Sequence, residues 1–214
     1  MVSAILKGII LGIGISAPIG PINTEIVRRG LYGGFWPAWM VGAGAGIAHA
    51  VFLAAAYVGM GSLVEVWAVR LALFGLGFCL LAWVAVSSFR DAWRGAGNPG
   101  LVRPVSDGWR AAFAAGFGFA FLNPLAVLLW VSLVGASLAS PAYANDIGLK
   151  NALVVGIWLG CALWDTALAT LVHFSRHLVN ERAMRLITLV CGLIIAYYAV
   201  QFGWSALEMI SAIL

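Results

Sequence analysis

Long segments without a charged side chain follow one another through this sequence. A helix that crosses a membrane needs about 20 consecutive, mostly apolar residues. Soluble domains carry about 25% charged residues, whereas 9% of these 214 residues are charged and 63% are hydrophobic. The pattern therefore predicts an integral membrane protein. The uncharged segments are 8–24, 30–64, 71–89, 111–145, 166–175 and 186–207, and the stretch 151–175 is interrupted by Asp165 alone.

These segments predict an all-α integral membrane protein with a single transmembrane domain, 1–214. They lack the apolar–polar alternation of period two that a transmembrane β-barrel shows. The N-terminal segment is as hydrophobic as a signal peptide, but it has no convincing cleavage site and five further spans follow, so we expect it to be retained. The six helices are expected near 4–28, 36–62, 68–89, 111–137, 151–175 and 186–210.

The basic residues predict the orientation of the chain in the membrane. Nine lie in the connections after helices 1, 3 and 5, and three lie on the opposite side. By the positive-inside rule this places both termini in the periplasm, and it explains the net charge of +4 without a nucleic-acid partner. The nine are Arg28, Arg29, Arg90, Arg94, Arg103, Arg110, Arg176, Arg182 and Arg185, and the three are Lys7, Arg70 and Lys150.

The two halves of the chain mirror each other. A polar connection separates repeat 1, about 1–89, from repeat 2, about 110–214, with a cytoplasmic linker of about 90–109. Each half opens with a helix that is broken at proline, GISAPIGPI and then FAFLNPLAV, and continues with a helix that carries one ionisable residue, His49 and then Asp165. Three spans per half is an odd number, so we predict two inverted three-helix repeats, as in many secondary transporters.

Helices 1 and 4 are expected to break at their prolines near the middle of the bilayer. Pro18, Pro21 and Pro124 cannot donate a backbone hydrogen bond and displace the carbonyls of Gly14, Ala17 and Ala120. Unpaired backbone groups persist at this depth where they face protein or a polar cavity. The half-helices that begin after the breaks would point their free N–H groups at the midplane, which suits a carboxylate. The predicted substrate-binding residues are Pro18, Gly20, Pro21, Asn23, Asn123 and Pro124.

Three ionisable residues are candidates for proton coupling. An acid within a transmembrane helix is costly and is a functional candidate by default, which favours Asp165 as a proton or cation relay; a structural hydrogen bond is the alternative. His49 lies on the small-residue face of helix 2, with Gly42 and Ala45. Its role is either functional, in the transport site, or structural, as a hydrogen bond between helices. Glu25 precedes Arg28 and Arg29 at helical spacing, so an interfacial ion pair competes with a gate or substrate-amine contact.

The stretch SAPIGPINTEIVRRGL resembles the signature of the LysE-type (LysE/RhtB) amino-acid exporters, and GFGFAFLNPLAVLLW resembles their second signature, an asparagine–proline pair in the fourth helix. The resemblance covers essentially the whole chain. It implies export of amino acids or small metabolites across the bacterial inner membrane by proton antiport. The motif positions are Pro18, Gly20, Pro21, Asn123 and Pro124, with Asp165. His49 stands where many members carry an acid, and Glu25 replaces a usually apolar residue.

A divalent-metal exporter is the alternative function, with His49, Cys161 and Asp165 as mixed ligands for zinc or cadmium. A membrane enzyme is not expected, because the polar residues do not form a nucleophile–base–orienter set. No cofactor site is expected either, since GLGFCL and GIGIS are apolar helix segments and not a dinucleotide-binding turn. The expected partners are a small amino-acid-like substrate, protons and membrane lipid; a homodimer is compatible with the sequence, and nucleic acid is not expected.

Overall fold

The computed structural model describes residues 1–58, 66–94, 108–123, 126–127, 130, 134–139, 143, 145–178 and 180–211. All regular structure in these residues is helical, which confirms the all-α prediction. The helices are α1 (Val2–Ser16), α2 (Pro21–Gly33), α3 (Phe35–Tyr57), α4 (Trp67–Arg94), α5 (Trp109–Phe121), α6 (Gly135–Ala139), α7 (Ile147–Ser175) and α8 (Glu181–Ser211).

The described part of the chain contains four helices that are long and apolar enough to cross a membrane, and five spans if α1 and α2 count as one. Their outer faces are apolar: Leu186, Leu193, Val200 and Leu207 follow one another every seventh residue along α8 and are each at least 60% exposed. This stripe suits a lipid environment and supports a multi-pass membrane protein. The fourth predicted span, 111–137, and the linker, about 90–109, lie partly outside the described residues and stay predictions.

The first predicted span breaks where the prolines indicate. Helix α1 ends at Ser16, Gly20 is extended, and Pro21 occupies the first turn of α2, where a missing N–H costs nothing. The two helix axes differ in direction by 79°. Helix α2 then runs to Gly33 and ends at Gly34, whose φ of 82° favours glycine.

One prediction for this region is wrong. Arg28 and Arg29 were expected in a connection between spans, near the end of a helix at residue 28. Both lie inside α2 and are about 4% exposed. They remain helical and buried because Glu25, one turn earlier on the same helix, pairs with both of them.

Three helix pairs hold the bundle together: α1 with α7, α3 with α5, and α4 with α8. Glycine lets the first two pairs approach closely. A Cβ atom at Gly12 would collide with the carbonyl oxygen of Ile157, and one at Gly160 with that of Ile9. In the same way, Gly116 lies against the carbonyl oxygen of Val41, and Gly44 against that of Phe113. Small residues at such positions are typical of helix packing in membranes.

Candidate functional site

A cavity of about 230 Å³ lies where α1 and α2 separate. Residues of α1, α2, α3, α7 and α8, and of the chain that follows α5, line this cavity. Seven of the nine predicted site residues line it. Pro124 lies outside the described residues, and Glu25 is not among the described residues that form the walls. The lining residues are Ile15, Ser16, Pro18, Ile19, Gly20, Pro21, Ile22, Asn23, His49, Asn123, Ala126, Trp130, Asp165 and Tyr198.

Asn23 satisfies the backbone at the break between α1 and α2. Its amide nitrogen donates to the carbonyl oxygens of Ser16 and Pro18, both at 2.8 Å. Its own oxygen accepts a hydrogen bond from Trp164 Nε1 of α7 at 3.3 Å. A buried carbonyl without a partner is costly, so this side chain stabilises the broken backbone. The sequence predicted Asn23 as a substrate contact, and the structure shows that its donors are already engaged.

Two further side chains complete the pairing at the break. The Tyr198 hydroxyl of α8 donates to the carbonyl of Ile19 at 3.2 Å. The Thr24 hydroxyl lies 3.0 Å from the Gly20 carbonyl and 2.9 Å from that of Pro21. The carbonyl groups around the break are thus largely occupied, and they leave the N–H side of α2 as the open part of this backbone.

The N-terminus of α2 has no side-chain cap, because its N-cap residue is Gly20. The first N–H groups of a helix have no partner within the helix, and here Gly20, Pro21, Ile22 and Asn23 border the cavity. Partial positive charge at a helix N-terminus favours an anion. This end of the cavity is therefore suited to a carboxylate.

Asn123, at the second break, caps its own backbone. Its side-chain oxygen accepts from the N–H of Ala126 at 3.2 Å, and its carbonyl accepts from Val127 at 3.0 Å. This is the geometry of a helix N-cap. The Ala120 carbonyl, which the sequence expected to be displaced, accepts a hydrogen bond from the N–H of Asn123 at 3.3 Å.

Asp165 brings a carboxylate to the cavity from α7. It is about 5% exposed, and no hydrogen bond or ion pair to it is found within the described residues. Gly42 of α3 makes room for it, because a Cβ at that position would lie 2.7 Å from the Cβ of Asp165. A buried carboxylate without a partner is an expensive group and a strong attractor for a cation or a proton.

His49 reaches the same cavity from α3. It is about 5% exposed, and its Nδ1 atom is buried with no hydrogen-bond partner among the residues that the structure describes. Its ring lies 4.8 Å from the ring of Trp130, centroid to centroid, with a tilt of 33°. No ion pair joins His49 to Asp165 in the described part of the chain. The histidine therefore presents one uncompensated polar atom inside an otherwise aromatic contact.

Glu25 is fully buried between two arginines of its own helix. Its Oε2 lies 2.8 Å from Arg28 Nε, and its Oε1 lies 2.6 Å from Arg29 Nε. The ion pair expected from the sequence is confirmed, and it is buried within the protein. A role for Glu25 in proton coupling stays a prediction, and the two arginines already compensate its charge.

The metal alternative finds no support in the arrangement. Cys161 Sγ lies 3.4 Å from the carbonyl oxygen of Gly12, on the α1–α7 contact, and Cys161 does not line the cavity with His49 and Asp165. Within the described ranges, no three His, Cys, Asp or Glu side chains come close enough together to hold a metal ion.

Sequence analysis did not single out three aromatic residues of this site. The ring of Trp130 lies against that of His49, the Tyr198 hydroxyl donates to the carbonyl of Ile19 at the break, and Trp164 Nε1 donates to the side-chain oxygen of Asn23. Tyr198 carried a weak signal, because a hydroxyl in the middle of an apolar helix needs a partner. The tryptophans carried no signal, because ten tryptophans are spread along the chain.

Comparison with known proteins bears on what such a cavity does. Residues 13–206 match a family described as LysE type translocator. No solved structure matches the chain significantly.

Three named relatives cover most of the chain. A protein of Bacillus subtilis strain 168 named "Putative amino acid efflux protein YcgF" is 28% identical over 96% of this chain and 97% of its own. The "Chemotactic transduction protein ChpE" of Pseudomonas aeruginosa is 30% identical over 82% of this chain and 85% of its own. The "Putative amino-acid transporter YggA" of Aeromonas salmonicida is 26% identical over 97% of this chain and 98% of its own.

Proposed function

Because the chain belongs to the LysE type translocator family, we propose that it exports amino acids or related small metabolites across the bacterial inner membrane, in exchange for protons. The observation that carries this proposal is the cavity at the α1–α2 break. It combines an unpaired carboxylate with an uncapped helix N-terminus. An amino acid has the two complementary charges.

In the proposed complex, the ammonium group of the substrate lies at Asp165 and its carboxylate lies at the first N–H groups of α2. Both positions border the same cavity. Asn23 and Tyr198 hold the broken backbone that presents these N–H groups. Pro18, Gly20 and Pro21 create the break, and Asn123 begins the opposing wall.

Exchange with protons follows from the shortage of partners for Asp165. A buried carboxylate is most stable when it is protonated or paired with a cation. The substrate ammonium and a proton would therefore compete for the same group. Release of substrate on one side then favours protonation of the empty site, and His49 offers a second proton-accepting atom in the same cavity.

Two inverted repeats would provide the alternating access that exchange requires. The helix contacts support this arrangement. Gly12 against Ile157 in the first pair corresponds to Gly116 against Val41 in the second. The separations are consistent: Gly12 and Gly116 are 104 residues apart, and Val41 and Ile157 are 116 residues apart, the same spacing as from His49 to Asp165.

A second set of contacts repeats the correspondence. Ile9 against Gly160 matches Phe113 against Gly44, with the same two separations of 104 and 116 residues. In each pair, the glycine precedes the ionisable residue of its helix by five positions, Gly44 before His49 and Gly160 before Asp165. Inverted repeats are related by a two-fold axis in the membrane plane. This axis would exchange α4 and α8, the two helices of the third pair.

The test is transport in proteoliposomes with an imposed pH gradient. We expect gradient-driven flux of labelled amino acids by the wild type, and its loss in Asp165→Asn, which keeps the shape of the side chain but removes its charge. Asp146→Asn is the matched control: Asp146 is exposed and caps α7 through Leu149 N–H, and asparagine caps equally well. Equal gradient-driven flux in wild type and Asp165→Asn would contradict the coupling role.

A further inference from the structure

The charges that face the cavity are few. Among the described residues that line it, Asp165 provides the one carboxylate and His49 the one imidazole, and neither lysine nor arginine contributes. The Arg28 and Arg29 side chains point to Glu25 instead. The cavity thus offers one negative charge, one positive helix end and no second acid.

From this inventory, and resting on the function proposed above, we propose that the substrate is a zwitterionic amino acid with an uncharged side chain of small to middle size. His49, in contact with the ring of Trp130, lies in the wall that receives this side chain and supplies no negative charge to pair with a cationic one.

The charge argument concerns the second cation of a basic amino acid. Its ammonium group at the α-carbon is matched by Asp165 and its carboxylate by the N-terminus of α2, which leaves a lysine or arginine side chain without a negative partner. Burial of an unpaired charge is strongly unfavourable. An imidazole does not relieve this, because it carries no negative charge in either protonation state.

The same argument excludes acidic side chains. A second carboxylate would lie in the cavity without a cationic partner, because neither lysine nor arginine is among the described residues that line it, and burial of an unpaired charge is strongly unfavourable. The uncapped helix end can serve one carboxylate group, not two that lie at opposite ends of a substrate.

The size of the cavity sets the size of the side chain. A buried apolar cavity of about 150 Å³ holds a benzene molecule, and this one measures about 230 Å³. In proportion, it holds about nine non-hydrogen atoms, which is the size of leucine or methionine. Tryptophan is larger than this space.

The chemistry of the walls agrees with an uncharged side chain. Ile15, Ile22, Ala126 and Trp130 give apolar surface, which favours aliphatic and thioether groups. The Nδ1 atom of His49 is buried and has no partner, so it can take one hydrogen bond from a hydroxyl or a second polar atom. Threonine would therefore also fit, with its hydroxyl directed to His49.

The experiment measures selectivity in proteoliposomes under a pH gradient, with labelled leucine, methionine, threonine, lysine, arginine and glutamate. For the wild type we expect flux of the first three to exceed that of the last three at least ten-fold. His49→Asp adds a second acid and should raise the ratio of lysine to leucine flux at least ten-fold. His49→Asn, of similar size but uncharged, should leave that ratio as in the wild type.

The outcomes separate this inference from the proposed function. Lysine or arginine flux in the wild type equal to that of leucine would overturn the inference but leave amino-acid export standing. Absence of gradient-driven flux for every amino acid would overturn the proposed function itself. Properly folded His49→Asp protein without any gain for lysine would remove His49 as the selective residue. Should this variant not fold, the wild-type panel alone decides the substrate class.

Discussion

At the scale of single residues, Asn23 explains how a broken helix persists inside a membrane bundle. Its side chain bonds the carbonyls of Ser16 and Pro18 and is itself held by Trp164. Proline creates the break, but the amide makes the break tolerable, because carbonyls left unpaired in apolar surroundings are costly. The residue is thus a scaffold for the helix end that faces the cavity.

We therefore expect Asn23→Ala to destabilise the protein by about 2 kcal/mol or more, since a buried polar group without a partner costs about 1–3 kcal/mol. The apparent melting temperature in detergent should fall by several degrees. Asn151→Ala is the control, because Asn151 is exposed and bonds Tyr57 at the surface. Equal melting temperatures for the two variants would contradict the scaffold role.

At the scale of secondary-structure elements, helix α2 is constrained by the charges that it buries. Three charged residues lie buried on this one helix, and Glu25 is the single described partner that Arg29 has within ion-pair distance. Arg29 Nη1 is buried without a hydrogen bond. The helix thus depends on Glu25 to compensate positive charge.

Glu25→Gln should remove the ion-pair partner of Arg29 and cost about 3–5 kcal/mol, the usual effect of removing one partner from a buried ion pair. Thermal unfolding in detergent measures this, with exposed Glu208→Gln as the control. A variant that unfolds at the wild-type temperature yet loses gradient-driven flux would instead support the proton-coupling role predicted for Glu25.

The α1–α7 contact tests whether close helix approach is required. Gly12→Ala places a methyl group against the carbonyl of Ile157, whereas Gly14→Ala meets nothing within 4 Å. We expect the first variant to lower the melting temperature in detergent, because overpacking costs about 1–3 kcal/mol. The second should keep or slightly raise it, since alanine is the better helix former. The reverse order would contradict the observed contact.

At the scale of the whole molecule, the two halves of the chain meet at glycines: Gly12 lies against Ile157, and Gly116 lies against Val41. If the halves are inverted, each crosses the membrane an odd number of times, and the two termini lie on the same side. The positive-inside rule predicts that this side is the periplasm.

Single cysteines near the two ends, in a variant without Cys79, Cys161 and Cys191, test this topology. Cysteines at Ser3 and Ser211 should both react with a membrane-impermeant maleimide added to intact cells, and a cysteine at exposed His177 should react after the cells are opened. Labelling of one terminus in intact cells and of the other after opening would exclude the odd number of spans per half.

Several features could be predicted from the sequence because they depend on local chemistry. Prolines remove donors wherever they lie, so the break at Pro18 and Pro21 followed directly from the residues. The apolar segments indicated spans within a few residues of α3, α4, α7 and α8. The spacing of Glu25 to Arg28 and Arg29 indicated their ion pair, since helical neighbours meet at such separations.

Other features depend on contacts between distant parts of the chain. Burial of Arg28 and Arg29 inside α2 could not be predicted, because their charge suggested a connection between spans. Little in the sequence indicated that Trp130 and Tyr198 would reach the cavity. Nor did the sequence indicate that Cys161, one turn before Asp165, would lie against the carbonyl of Gly12 and not in the cavity.

The sequence by itself determined a helical membrane protein with a broken first span and the ionisable groups His49 and Asp165 within its apolar helices. These follow from hydropathy and from proline geometry, which act over one or two turns. The tertiary structure alone decided that Asp165 has no ion pair or hydrogen bond among the described residues, that the Asn23 side chain bonds the backbone, and that Glu25 pairs with Arg28 and Arg29. Each of these depends on which group of another turn or helix comes within about 3 Å, the reach of a hydrogen bond.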